Sequence, residues 1–136
     1  MNTLYIMCGL PGSGKTTLSE QLSKTYNLKL YCFDKLKLIF DRDAILKNIE
    51  KDIIKSDVIF DNLFLTKKSR QSLLENINTP CSKILIVLET PLDECINRNR
   101  QREFREQLSD DFIYHLQKRY QPPSLDEGWD DIIFLK

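Results

Sequence analysis

The stretch Gly9-Leu10-Pro11-Gly12-Ser13-Gly14-Lys15-Thr16 constrains this chain more than any other. Its spacing, G-x-x-x-x-G-K-[ST], is that of a loop whose backbone N–H groups curl inward around phosphate oxygens. The flanks agree with it. Leu4-Tyr5-Ile6-Met7-Cys8 is an apolar run suited to a buried strand, and the segment from Thr17 to Tyr26 sets Leu18, Leu22 and Tyr26 on one helical face. Strand, tight loop and helix bring the positive end of a helix dipole to the loop. Gly9, Pro11, Gly12, Ser13, Gly14, Lys15, Thr16 and Thr17 are thus expected to hold a nucleoside triphosphate. Lys15 would reach its β- and γ-phosphates, and the Thr16 hydroxyl would sit on Mg²⁺. The competing account, a glycine turn opening a helix beside a solvated lysine, leaves the four fixed positions and both flanks unexplained.

Length sets the scale: 136 residues suit one domain spanning 1–136. Lys and Arg total 20 against 20 Asp and Glu, so no global field draws the chain to nucleic acid or to a membrane, and polyanion binding has to come from local clusters. No apolar run reaches transmembrane length, and the N-terminus enters the first strand without a signal-peptide layout. Cys8, Cys32, Cys81 and Cys95 are scattered, with no C-x-x-C pair, which argues against zinc or a disulfide framework. Reduced, buried thiols fit a cytoplasmic protein.

Further along, Leu28 to Phe33 reads as a second strand ending at Asp34. From Lys35 to about Ile54, Leu38, Ala44 or Ile45, Ile49 and Ile53 drift at helical spacing, as two helices broken near Asp41-Arg42-Asp43. Val58-Ile59-Phe60 is a third strand closed by Asp61, and Thr66 to Ile77 is a mainly polar surface helix. Ile84 to Leu88, apolar on both faces, has the character of a central parallel strand. Thr90-Pro91-Leu92-Asp93 offers an N-cap with proline at the first helical position. Ser109-Asp110-Asp111 caps a later helix with Phe112, Ile113, Leu116 and Tyr120 inward, and Asp131 to Leu135 is a fifth strand. His115 belongs to the partly buried flank of that helix, and Trp129 packs the chain end onto the sheet. The alternation predicts an α/β fold of three layers: about five parallel strands, helices on both faces, and a short arginine-bearing lid.

In such sheets ligands bind at the carboxyl ends of the strands. The phosphate loop, Asp34, Asp61 and Glu89 should therefore share one rim. Asp34 is either a general base for an incoming hydroxyl or a helix N-cap. Asp61 is a carboxylate for Mg²⁺, an acceptor-side group or a turn cap, with Glu89 its rival on the metal side. Arg98, Arg100, Arg102 and Arg105 fall within eight residues, and helical spacing puts Arg98, Arg102 and Arg105 on one face. Such arginines can cover a transferring phosphoryl group, or form a solvated face paired with Glu94, Glu103 and Glu106. Lys67, Lys68 and Arg70 are either a substrate-phosphate cluster or a basic helix surface.

Together the stretches Gly9–Thr17, Phe33-Asp34, Val58-Ile59-Phe60-Asp61-Asn62 with Thr66 and Arg70, and Glu94 to Arg102 resemble the small P-loop kinases of the bacteriophage polynucleotide 5′-hydroxyl kinase type. Tyr120-Gln121-Pro122-Pro123 and Asp126 to Asp130 resemble the end of that wider family. The resemblance implies ATP and Mg²⁺ as cofactors and Asp34 as the base that takes the proton from a 5′-hydroxyl. It implies substrate contacts from Lys37, Asp61 and Arg70, a lid-hinge role for Arg98, and for Arg102 a touch on the moving phosphate. Lys37 departs from the arginine found there in the family, keeping the charge and losing the bidentate fork.

Three functions follow as expectations. The first is an ATP-dependent kinase acting on a nucleic-acid 5′-hydroxyl. The second is the same chemistry on a small alcohol such as a nucleoside, sugar or antibiotic, which the neutral overall charge favours. The third is a nucleotide-dependent switch without transfer.

Overall fold

The computed structural model describes residues 1–36 and 41–136. Lys37, Leu38 and Phe40 lie outside the described residues. Five strands are found among those described: β1 (Thr3–Cys8), β2 (Lys29–Cys32), β3 (Val58–Asp61), β4 (Ser82–Leu88) and β5 (Asp131–Leu135). They form one sheet in the order β2-β3-β1-β4-β5, with every neighbouring pair parallel. The helices are α1 (Lys15–Tyr26), α2 (Phe33–Leu36), α3 (Arg42–Ile53), α4 (Lys67–Asn76), α5 (Leu92–Arg100) and α6 (Asp110–Arg119).

Successive side chains of a strand point to opposite faces, so the near-continuous apolar strands imply cover on both. Leu4, Ile6 and Cys8 of β1 join Val58, Phe60, Leu85 and Val87 in a core completed by Ile45, Leu46, Ile49 and Ile53 of α3 and Leu73 of α4. The alternate residues Met7, Ile59 and Ile86 pack with Leu18 and Leu22 of α1 on the other face. Burying each of the larger aliphatic side chains contributes about 1.5–3 kcal/mol. Polar residues mark where helices begin. The Asp41 side chain accepts from the Ala44 N–H, Thr66 and Ser69 cap α4 reciprocally, and Ser109 accepts from the Phe112 N–H.

Four local expectations are corrected. β2 stops at Cys32 rather than running to Asp34, because its partner β3 ends at Asp61, opposite Cys32, and Phe33 and Asp34 turn into α2. Tyr26 is 67% exposed, since α1 ends there on Asn27 in the left-handed conformation. Phe112 and His115 face outward, while Ile113 and Leu116 carry the packing of α6. Thr90 does not cap α5. Pro91 takes the N-cap position, and the Thr90 hydroxyl donates instead to the Ser13 carbonyl at 2.7 Å. No helix among the described residues is long and apolar enough to cross a membrane.

Candidate active site

β1 delivers the chain at Cys8 to the centre of the rim, with β3 on one side and β4 on the other. The loop that follows is spelled by close approach. Gly12 has φ +83°, and a Cβ there would stand 2.3 Å from the Cys95 carbonyl of α5. Gly14, at φ +95°, is the left-handed N-cap of α1 and brings no side chain to the helix start. The first N–H groups of α1 thus open toward the loop with the positive end of the helix dipole behind them. Inside the cup the Ser13 Oγ is buried without a hydrogen-bond partner. Lys15 is 5% exposed and, among the described residues, makes no ion pair. A buried ammonium and an orphan hydroxyl are costly arrangements that a phosphate would relieve.

The cup opens into a cavity of about 560 Å³, within the size range of small-molecule sites. Its walls include Gly12 to Leu18, with Thr90, Arg98 and Arg102 across from them and Leu135 and Lys136 at the end of β5. Thr16 Oγ1 donates to Asp61 Oδ2 at 2.7 Å. That carboxylate is 2% exposed and also receives Ser19 Oγ at 3.5 Å and Cys32 Sγ at 3.7 Å. Glu89 is exposed and lines a neighbouring cavity, so the carboxylate beside the phosphate loop is Asp61.

The four clustered arginines separate. Arg98 pairs with Glu94 at 2.6 Å and reaches the Gly12 carbonyl at 3.5 Å, and Arg102 lines the cavity beside it. Arg100 turns away to Asp110 at 2.5 Å. Arg105, expected on the face of Arg98 and Arg102, is not there. α5 ends at Arg100, so helical spacing does not extend to Arg105, whose side chain is 87% exposed beside Glu103. The short lid is shaped by Asn99, which exchanges hydrogen bonds with the backbone of Leu108, and by Gln107, which donates to the Arg100 and Arg102 carbonyls.

Asp34 is exposed in the first turn of α2, on the same rim, but does not line the phosphate cavity. Lys37 lies outside the described residues. Arg70 is corrected outright. It is wholly buried: Nε and Nη2 bind the Glu127 carboxylate at 2.9 and 3.1 Å, Nη1 donates to Phe64 O at 2.9 Å, and Nη2 also donates to Gln121 O at 2.8 Å. With its guanidinium occupied in this way it has no surface for a substrate. Trp129 Nε1 closes the network on Glu127 at 3.0 Å. Burial pushes the Glu127 carboxyl up, but the hydrogen bonds from Arg70 and Trp129 and the guanidinium charge outweigh it, leaving the group below its ordinary value. Burial takes the Cys8 thiol up to about 11 in spite of the Arg70 charge beside it.

Two features escaped the sequence. Phe64, in the loop between β3 and α4, holds φ +48°, which is rare for a bulky residue. Its carbonyl is gripped by Arg70 and by Cys8 Sγ at 3.3 Å, while Gly9 N–H donates to the carbonyl of Leu63. That loop therefore abuts the start of the phosphate loop. On its other side lies a second cavity, of about 260 Å³, whose lining includes Phe33, Arg42 and Arg119. Neither arginine belongs to a motif that would have singled it out.

Residues 29–135 match the family described as chromatin associated protein KTI12. An adenylate kinase isoenzyme 6 homolog of Schizosaccharomyces pombe (strain 972 / ATCC 24843) is 34% identical over 71 residues, covering 41% of this chain and 41% of that protein. The chain thus spans about two-fifths of the length of the curated relative it matches. Among solved structures, a fungal RNA kinase superposes with a TM-score of 0.73 at 23% identity, over 100% of this chain and 39% of its own. A sugar kinase from Janibacter sp. gives 0.76 at 17% identity, over 99% of this chain and 84% of its own. The Pnkp1/Rnl/Hen1 RNA repair complex gives 0.76 at 18%, over 87% and 43%. At these identities the likeness is one of fold, and the fold is that of the P-loop kinases.

Proposed function

The chain belongs to the chromatin associated protein KTI12 family, and from that footing and the geometry of its cleft we propose an ATP- and Mg²⁺-dependent phosphotransferase whose acceptor is the 5′-hydroxyl of a polynucleotide. One observation carries the reading: Thr16 and Asp61 meet at the base of an arginine-walled cup whose buried lysine makes no ion pair among the described residues. Thr16 Oγ1 directs its proton at Asp61 and keeps its lone pairs. Hydroxyl and carboxylate oxygens are hard donors of the kind Mg²⁺ accepts when phosphates and waters complete its shell. Held there by Thr16 and, through water, Asp61, the ion would neutralise charge on the β- and γ-phosphate oxygens.

In this reading Gly9 to Thr17 cradle the triphosphate and Arg98 steadies it. Asp34 accepts the proton of the acceptor hydroxyl. The hydroxyl oxygen bonds to the γ-phosphorus as the bond to the β–γ bridging oxygen breaks, and ADP leaves. Lys15 and Arg102 stabilise the equatorial oxygens during transfer. The resemblance to the polynucleotide kinases assigns Lys37 and Asp61 to the acceptor. A second reading, a nucleotide-dependent switch without transfer, is favoured by one observation: Asp34 does not line the phosphate cavity.

The test is incubation with γ-labelled ATP and a 5′-hydroxyl oligonucleotide, an unphosphorylated nucleoside or sugar, or water alone. Label on the oligonucleotide supports the proposal, label only on the small alcohol moves the acceptor, and label only on free phosphate leaves a switch. Lys15→Ala should abolish turnover, whereas Asp34→Ala should keep ATP affinity and lose transfer. Equal loss of both from Asp34→Ala would make that residue structural.

A further inference from the structure

We propose that Thr90 is a positioning residue for the phosphate loop: its hydroxyl fixes the peptide plane between Ser13 and Gly14, so that the Gly14 N–H faces the cup. The inference rests on the proposed nucleotide site for its ligand, while its geometry stands without one. Thr90 Oγ1 donates to the Ser13 carbonyl at 2.7 Å, across 77 positions of sequence. The carbonyl and the N–H of a trans peptide share a plane and point in opposite directions. With the Ser13 C=O drawn to Thr90, the N–H of the same unit, that of Gly14, is turned away from Thr90 and into the curl of the loop. Among the described residues that N–H has no hydrogen-bond partner, which leaves it for a ligand oxygen.

The loop does not hold this plane by itself. Turning the plane over changes ψ of Ser13 and φ of Gly14 and little else. Gly14 stands at φ +95°, and glycine takes negative φ as readily. The inverted form would set the Ser13 C=O in the cup, its partial negative charge against the phosphate oxygens. Neighbouring units are tied by other means. The Ser13 N–H donates to Leu10 O at 3.0 Å, the Gly14 carbonyl accepts from the Leu18 N–H at 2.9 Å, and the Gly9 N–H is bound to Leu63 O at 3.2 Å. For the Ser13–Gly14 unit the tie is the Thr90 hydroxyl. Thr90 is itself a fixed point. It follows β4, whose Val87 pairs with Cys8 of β1 directly ahead of the loop. Its carbonyl accepts from Cys95 Sγ at 3.6 Å, and its β-branched side chain has few χ1 options. Farther along α5, Arg98 Nη1 reaches the Gly12 carbonyl at 3.5 Å. The lid-bearing helix and the residue before it thus hold the outer side of the loop, and Thr90 makes the shorter contact.

The experiment compares the wild-type chain with Thr90→Val, which deletes the hydroxyl and keeps the branched shape, and with Thr90→Ser, which keeps the hydroxyl. Thr90→Ala serves in case Thr90→Val does not fold. Nitrogen–proton NMR spectra of the nucleotide-free chain follow the assigned Gly14 amide. In Thr90→Val that resonance should shift or broaden by exchange while the amides of the central strands stay in place, and Thr90→Ser should return it. Affinity for a non-hydrolysable ATP analogue with Mg²⁺, measured by calorimetry, should fall roughly tenfold in Thr90→Val and stay within about threefold in Thr90→Ser. An unmoved Gly14 amide overturns the proposal even if affinity falls, because Thr90 then acts on the nucleotide directly. A displaced amide with unchanged affinity overturns it too, as does a loss that follows the melting temperature and is not restored by Thr90→Ser. If the wild type binds no ATP analogue, the nucleotide reading fails, and the Gly14 amide alone decides whether Thr90 holds the plane.

Discussion

Replacing Arg70 by methionine tests whether the network behind the phosphate loop holds the fold or serves the substrate. The change keeps much of the apolar stem and deletes four hydrogen bonds: two to Glu127, one to Phe64 O and one to Gln121 O. It strands a carboxylate whose side chain is 12% exposed. Breaking a buried pair from one side costs about 3–5 kcal/mol, against roughly 5–15 kcal/mol for a whole domain. With a urea m-value of ~2 kcal/mol/M, the midpoint should fall by about 2 M. Trp129, the one tryptophan of the chain, is buried against Glu127 and reports the transition by fluorescence, with far-UV dichroism as the second probe. Glu127→Gln should cost a similar amount, and the double variant less than the sum, with a coupling of ~1–3 kcal/mol. Glu127 titrates below its ordinary value when folded, so its contribution is complete above the unfolded value of about 4.3 and is lost as the pH falls through the lowered one. Acid unfolding of Glu127→Gln should therefore be less steep in that window. Single costs below ~1 kcal/mol that simply add would refute the reasoning and return Arg70 to the pool of substrate contacts.

Arg102→Ala should lower kcat by about 10³-fold or more, as removal of a phosphate-covering arginine does, while Arg105→Ala should change it little; the reverse pattern in steady-state kinetics would show the lid in a different register. Gly12→Ala should abolish binding of a fluorescent ATP analogue, because its Cβ meets the Cys95 carbonyl at 2.3 Å and its φ is +83°. Gly128→Ala, strained at φ +120° but with no contact closer than Leu74 Cδ1 at 3.5 Å, should lose stability in a thermal melt and keep nucleotide affinity.

What the sequence revealed and what it hid divide by distance along the chain. The phosphate loop is local: glycines, lysine and threonine occupy adjacent positions and their spacing alone predicts strand, turn and helix. The parallel strands were legible because burial on both faces leaves uninterrupted apolar runs. Asp61 stayed ambiguous because the residue that engages it, Thr16, lies 45 positions away and meets it only through the pairing of β1 with β3. By composition Arg70 belongs with Lys67 and Lys68, yet its counter-charge arrives 57 residues later. Helical periodicity sets Arg105 beside Arg98 and Arg102 only if the helix continues, and α5 ends at Arg100. Arg42 and Arg119 come from the starts and ends of separate helices, and only the folded chain brings them to one cavity.

The lid around Arg102 is small, and Asn99 decides what that smallness means. One amide, 1% exposed, clasps both the N–H and the C=O of Leu108, so the hairpin-like excursion from Arg100 to Leu108 is knotted at its base before any guest arrives. A loop already cinched has little backbone entropy left to surrender on binding. Much of the freedom that remains at the rim belongs to side chains, Arg102 and the half-exposed Arg98 among them, and those are what a nucleotide entering the cup would immobilise.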